Sequence, residues 1–130
     1  MAGRKYLVDT NIFVEILLKQ NKEIACTQFI TVHFSEIVIS QFTLQSIALI
    51  CNRNNSPGLF TKFLADVVEH IEVITLESAS LKDIENIISS SKLDYDDAYQ
   101  LKAAQLGNFE IVTMDRDFST VASSHKILFI

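Results

Sequence analysis

The 130-residue chain carries only three glycines, one proline and two cysteines. It has no glycine-rich phosphate loop, which excludes P-loop and dinucleotide-binding chemistry. Cys26 and Cys51 are isolated, each inside a segment of apolar periodicity, so both are expected as buried thiols rather than a disulfide framework. No apolar run approaches the roughly 20 residues of a membrane-spanning helix. The opening MAGRKYLVDTN reaches Asp9 after three apolar residues, too few for a signal-peptide core. These absences lead us to expect a cytoplasmic protein that does not engage a membrane. Positive charge is scarce too. Eleven Lys and Arg stand against sixteen Asp and Glu, for a net charge of −5. That argues against broad electrostatic binding to a polyanion, though not against a nucleic-acid substrate held by a metal and a few local cations. His33, His70 and His125 are scattered and lack metal-ligand spacing.

What the chain does have is apolar residue, at 48%, in short runs. Its length suits one domain, residues 1–130, burying roughly two-thirds of its unfolded surface. YLV (6–8), IVI (37–39), EVITL (72–76), EIVTM (110–114) and ILFI (127–130) have strand character. They are apolar at successive positions, as in a parallel sheet covered on both faces. Between them lie helical spacings: Ile12, Phe13, Ile16 and Leu17, then Leu44, Ile47, Ala48 and Cys51 behind Ser40 as N-cap. After the break NNSPG (54–58), helices are expected at about 59–70, 78–90 and 94–106, the last capped by Gly107. Strands alternating with helices imply a three-layer α/β/α domain around a central parallel sheet of four to five strands.

Functional groups in such sheets gather at the carboxyl ends of strands. Asp9 ends the first run, Asp115 follows EIVTM, and Asp117 lies two residues on. LDYDDAYQLKAAQ places Asp94 and Asp97 three apart at a helix start, able to face one side. Each acid alone has an ordinary role as an N-cap or dipole partner. Together at strand ends they form a cluster that needs a compensating cation, and hard oxygen ligands favour Mg²⁺ or Mn²⁺. Such a site points to metal-dependent phosphoryl chemistry.

VDTNIF (8–13), SQFTLQS (40–46), LDYDDAYQLKAA (93–104) and IVTMDRDF (111–118) together resemble the motifs of PIN-domain ribonucleases, many of which are VapC-type toxins of toxin–antitoxin pairs. The likeness runs through almost the whole chain in the family's order. It implies an acidic pocket for Mg²⁺ or Mn²⁺ and metal-activated water attacking single-stranded RNA. By position, the first, third and fourth family acids are Asp9, Asp97 and Asp115, with Asp117 and Asp94 as neighbouring acids. Thr10, Asn11 and Thr113 match residues that brace the site. The resemblance also implies an antitoxin partner and a homodimer. The second acid does not carry over. Ser40 and Thr43 of the S-x-x-T-x-x-E motif are present, but Ser46 stands where the family commonly has glutamate. Serine supplies no negative charge. Glu15 and Glu36 are the acids considered as substitutes.

Three functions follow for comparison: a metal-dependent endoribonuclease, a catalytically weak or inactive PIN-like module acting through protein or RNA binding, and a phosphate-accepting regulatory domain. The last needs a lysine after a late strand, whereas Lys126 precedes the final one. Among Arg53, Lys62, Lys92 and Arg116, the candidate for RNA phosphate is Arg116, which lies between two of the acids. The phenylalanines are expected in the core, with Phe118 beneath the site.

Overall fold

The strands are short because each needs only to cross a two-sided core. In the computed structural model, which describes residues 3–130, they are Tyr6–Val8 (β1), Ile37–Ser40 (β2), Glu72–Ile74 (β3), Glu110–Thr113 (β4) and Ile127–Phe129 (β5). They form one sheet in the order β3-β2-β1-β4-β5, and every pairing is parallel. β1 is central, with Leu7 beside Val38 and Ile111, and Val8 beside Val112.

Alternate residues of these strands enter two separate cores. Leu7, Val38 and Ile111 pack with Ile84, Leu93, Leu101 and Phe118. Val8, Ile37, Ile39 and Val112 pack with Ile12, Phe13, Ile47, Cys51 and Phe63. The second core is closed by Thr10–Leu17 (α1), Glu23–Val32 (α2), Gln41–Arg53 (α3) and Pro57–Asp66 (α4). The first is closed by Leu81–Ser91 (α5) and Tyr95–Gly107 (α6). This is the expected α/β/α sandwich with five parallel strands. Cys26 and Cys51 are buried and free, and burial raises both thiol pKa values.

Several boundaries differ from the sequence expectation, each for a local reason. β3 stops at Ile74, and Leu76 N–H turns to the Tyr99 hydroxyl at 3.2 Å. β4 stops at Thr113 because the next two N–H groups go to side chains, Met114 to Asn11 Oδ1 and Asp115 to Thr113 Oγ1. α4 begins at Pro57 and ends at Asp66; the β-branched pair Val67–Val68 gives way to a 3₁₀ turn, Val68–His70. Ser78–Ser80 is likewise a 3₁₀ turn before α5. Gly107 does not cap α6. Asn108 does, in the left-handed conformation (φ 55°), while a Cβ on Gly107 would run into the Phe109 ring. α2 has no counterpart among the expected elements.

Candidate metal centre

Asp9 leaves β1 in extended conformation (φ −71°, ψ 155°) and caps α1, its Oδ1 accepting from Thr10 N–H at 2.8 Å. Its carboxylate is buried and surrounded by donors. Oδ2 accepts from Thr113 Oγ1 at 2.8 Å and Asn11 Nδ2 at 3.2 Å; Oδ1 also accepts from Gln100 Nε2 at 3.3 Å. Asn11 closes a bracket, donating to Thr113 Oγ1 and accepting from Met114 N–H. Ser40 ends β2 in the same way and caps α3 by accepting from Thr43 N–H at 3.0 Å. Thr43 Oγ1 then receives Thr10 Oγ1 at 3.0 Å and Gln100 Nε2 at 2.7 Å. Thr10 N–H, Asn11, Thr113 and Gln100 thus hold Asp9 directly, and Thr43 accepts from Thr10 and Gln100 behind them.

Asp115 follows β4 and caps the 3₁₀ helix Arg116–Val121, accepting from Asp117 N–H at 2.9 Å. Asp97 lies buried in the first turn of α6. One carboxylate oxygen from each of Asp97, Asp115 and Asp117 lies within 4.8 Å of the others. Asp9 lines the same pocket of about 250 Å³ as Asp97, Asp115, Gln100 and Ser46, but stands outside that group of three. Asp94 occupies the N-cap position of α6, exposed, with no side-chain capping bond.

Like charges crowd this pocket. Burial first, then the fields of Asp96, Asp9, Asp115 and Asp117, pushes the Asp97 carboxyl up to about 8. Burial also raises Asp9, against hydrogen bonds from Thr113, Gln100 and Thr10, while Asp115 adds to the rise. Among the described residues, no lysine, arginine or histidine forms an ion pair with any acid of this cluster. Three convergent carboxylate oxygens without a side-chain counter-ion make a group that could hold a metal ion.

The remaining candidates lie elsewhere or act differently. Ser46 lines the pocket, but its hydroxyl donates to Phe42 C=O one turn back at 2.9 Å. Neither proposed substitute acid reaches the site. Buried Glu15 accepts from Lys22 N–H at 2.7 Å at the α1–α2 connection. Glu36 pairs with His33 at 2.9 Å, at the opposite end of β2. Arg116 is exposed, its guanidinium 4.6 Å from the Phe129 ring centroid. Lys62 pairs with Asp66. Phe118 is fully buried, as expected. Gln100 was not anticipated from the sequence. Its signal was an amide one turn after Asp97, in a helix whose neighbouring residues Ala98, Leu101, Ala103 and Ala104 are apolar and buried.

Residues 6–123 match the PIN domain family, and the chain belongs to it. Similar solved structures include DNA-bound VapBC from Salmonella typhimurium, with a TM-score of 0.77 and 17% identity over 96% of this chain and 97% of that one. Mycobacterium tuberculosis VapC20, a Sarcin-Ricin loop cleaving toxin, gives 0.76 and 10% identity over 93% and 96%. A toxin–antitoxin complex from Klebsiella pneumoniae gives 0.71 and 22% identity over 88% and 91%. At these identities the likeness is one of fold. No curated protein matches the chain in sequence.

Proposed function

We propose that the protein is a metal-dependent endoribonuclease that hydrolyses phosphodiester bonds of single-stranded RNA, as the toxin of a toxin–antitoxin pair. The observation that carries this reading is the trio Asp97, Asp115 and Asp117, converging within 4.8 Å without a counter-ion. These residues, with Asp9 behind them, would hold the ion. The chemistry supplied there is that of Mg²⁺ or Mn²⁺: activation of water and neutralisation of charge developing on a phosphodiester. Asp97 brings the proton that must leave when a cation enters, and Thr113 with Asn11 keeps Asp9 fixed toward the pocket. The test is incubation of the purified protein with single-stranded RNA under Mg²⁺ or Mn²⁺, beside D97N and D115N. Cleavage by the wild type alone supports the reading; no cleavage and no metal binding would sink it.

Partner binding belongs to the same proposal. An apolar groove of about 290 Å³, lined by Phe13, Ile16, Leu17, Ile30 and Phe63, opens between α1, α2 and α4 and suits an apolar segment of an antitoxin. Leu49 and Tyr95, both exposed, offer apolar surface for a homodimer, which sedimentation would detect.

Ser46 favours a second reading, a catalytically silent PIN-like module acting through protein or RNA binding. If S46E converts a wild type that does not cut RNA into one that does, this second reading holds.

A further inference from the structure

Among the described residues, Gln100 Oε1 is the only buried side-chain polar atom without a hydrogen-bond partner. The residue is 2% exposed and sits one turn beyond Asp97 on the same face of α6. The orientation of its amide is fixed chemically. Asp9 Oδ1 is a carboxylate oxygen that needs donors, and Nε2 approaches it at 3.3 Å and Thr43 Oγ1 at 2.7 Å. The carbonyl end is therefore left without a donor from the protein.

A buried acceptor left open is costly. The protein supplies no remedy nearby. The Ser46 hydroxyl, on the wall of the same pocket, is already spent on Phe42 C=O. Gln100 lines the pocket together with Asp9, Asp96, Asp97 and Asp115, and that pocket is the nearest route for a donor from outside the protein. Mg²⁺-like ions keep several waters when bound, and those waters are strong donors. A neutral oxygen also adds no charge beside Asp9, Asp96, Asp97 and Asp115.

We infer that Gln100 is a positioning residue of the metal centre, its Oε1 accepting a hydrogen bond from the hydration shell of the divalent cation where Ser46 leaves a family carboxylate missing. The inference rests on the metal-site reading above. It makes α6 a double contributor, with Asp97 supplying charge and Gln100 a neutral acceptor one turn on.

The experiment is calorimetric titration of the metal-free protein with Mn²⁺, for the wild type, Q100L, Q100M and Q100E, with thermal melts of each in chelator. Removing an outer partner of a metal site typically weakens affinity roughly 10- to 100-fold. Q100L should show that loss together with a lower metal-free melting temperature, because Asp9 Oδ1 and Thr43 Oγ1 lose a donor when the amide goes. Q100M provides the same comparison if leucine fails to pack. Q100E keeps an acceptor oxygen but loses the donor to Asp9, and should bind Mn²⁺ at least as tightly as the wild type. The inference is overturned if the apolar variants bind like the wild type, even with lowered melting temperatures, since that marks a purely structural amide. It is also overturned if Q100E loses affinity as Q100L does, since the donor to Asp9 then matters instead. A wild type that binds no Mn²⁺ removes the metal-site reading itself and this inference with it.

Discussion

Thr113 Oγ1 donates to Asp9 Oδ2 at 2.8 Å, joining the ends of β4 and β1 across 104 residues of chain. The same oxygen accepts from Asp115 N–H and Asn11 Nδ2, so one hydroxyl orients two acids and the side chain between them.

Replacing it is therefore more than the loss of one bond. T113V keeps the shape but withdraws a donor from a buried carboxylate and an acceptor from two N–H groups. We expect a loss of about 1–3 kcal/mol in urea denaturation, the usual cost of unsatisfied buried groups. Mn²⁺ affinity should fall in parallel. Unchanged stability would show that water replaces the hydroxyl.

Asp97 sets a pH dependence whose sign follows from its raised pKa. In the unfolded chain it titrates near the ordinary value of about 3.9, and in the folded protein at about 8. The folded state thus binds this proton more tightly. Its contribution to stability is full below about pH 4, declines as pH rises through that window, and is flat above about 8. D97N removes the charge. In chelator, D97N should be more stable than the wild type at pH 8.5, with the difference shrinking toward pH 4. Parallel stability curves for the two proteins would contradict this.

The same group ties cation binding to proton release. Below about pH 8 Asp97 keeps its proton, which a cation must displace. At pH 7 the calorimetric enthalpy of Mn²⁺ binding should therefore vary with the ionisation enthalpy of the buffer, and affinity should rise from pH 6 to 8. If D97N still binds Mn²⁺ measurably, its enthalpy should lose that buffer dependence.

Glu15 serves as the contrast. Its buried carboxylate accepts from Lys22 N–H at 2.7 Å, far from the acid trio in role. E15A should cost about 1–3 kcal/mol in stability and leave Mn²⁺ affinity as it was. A weakened metal site in a protein that remains folded would return Glu15 to the list of ligands.

Much of this architecture was legible because the strands are buried on both faces. Runs such as YLV and IVI cannot alternate, and their β-branched content separates them from helix. The acids were legible because each follows such a run or opens a helix. What escaped had weak local signals. α2 starts at Glu23 behind Lys22, which offers no side-chain cap, and its apolar stripe is blurred by the exposed Ile24 and Val32. The ends of β3 and β4 are decided by Tyr99, Asn11 and Thr113, residues distant in sequence, so no local pattern could mark them. The capping role fell to Asn108 because Gly107 is needed where Phe109 approaches. Gln100 offered only a faint signal, one amide among the buried apolar residues of α6.

The central position of β1 has a consequence for the life of the chain. β1 pairs with β2 on one side and β4 on the other, and the acids it serves arrive near residue 97 and after residue 113. A growing chain that has only made its first half owns Asp9 and its caps but none of the trio. The pocket thus comes into being only when β4 docks, late in synthesis. A cation bound there would stabilise the finished fold by mass action and give nothing to a nascent chain that has not yet reached Asp97. Metal-dependent protection from proteolysis would then report completion of the domain.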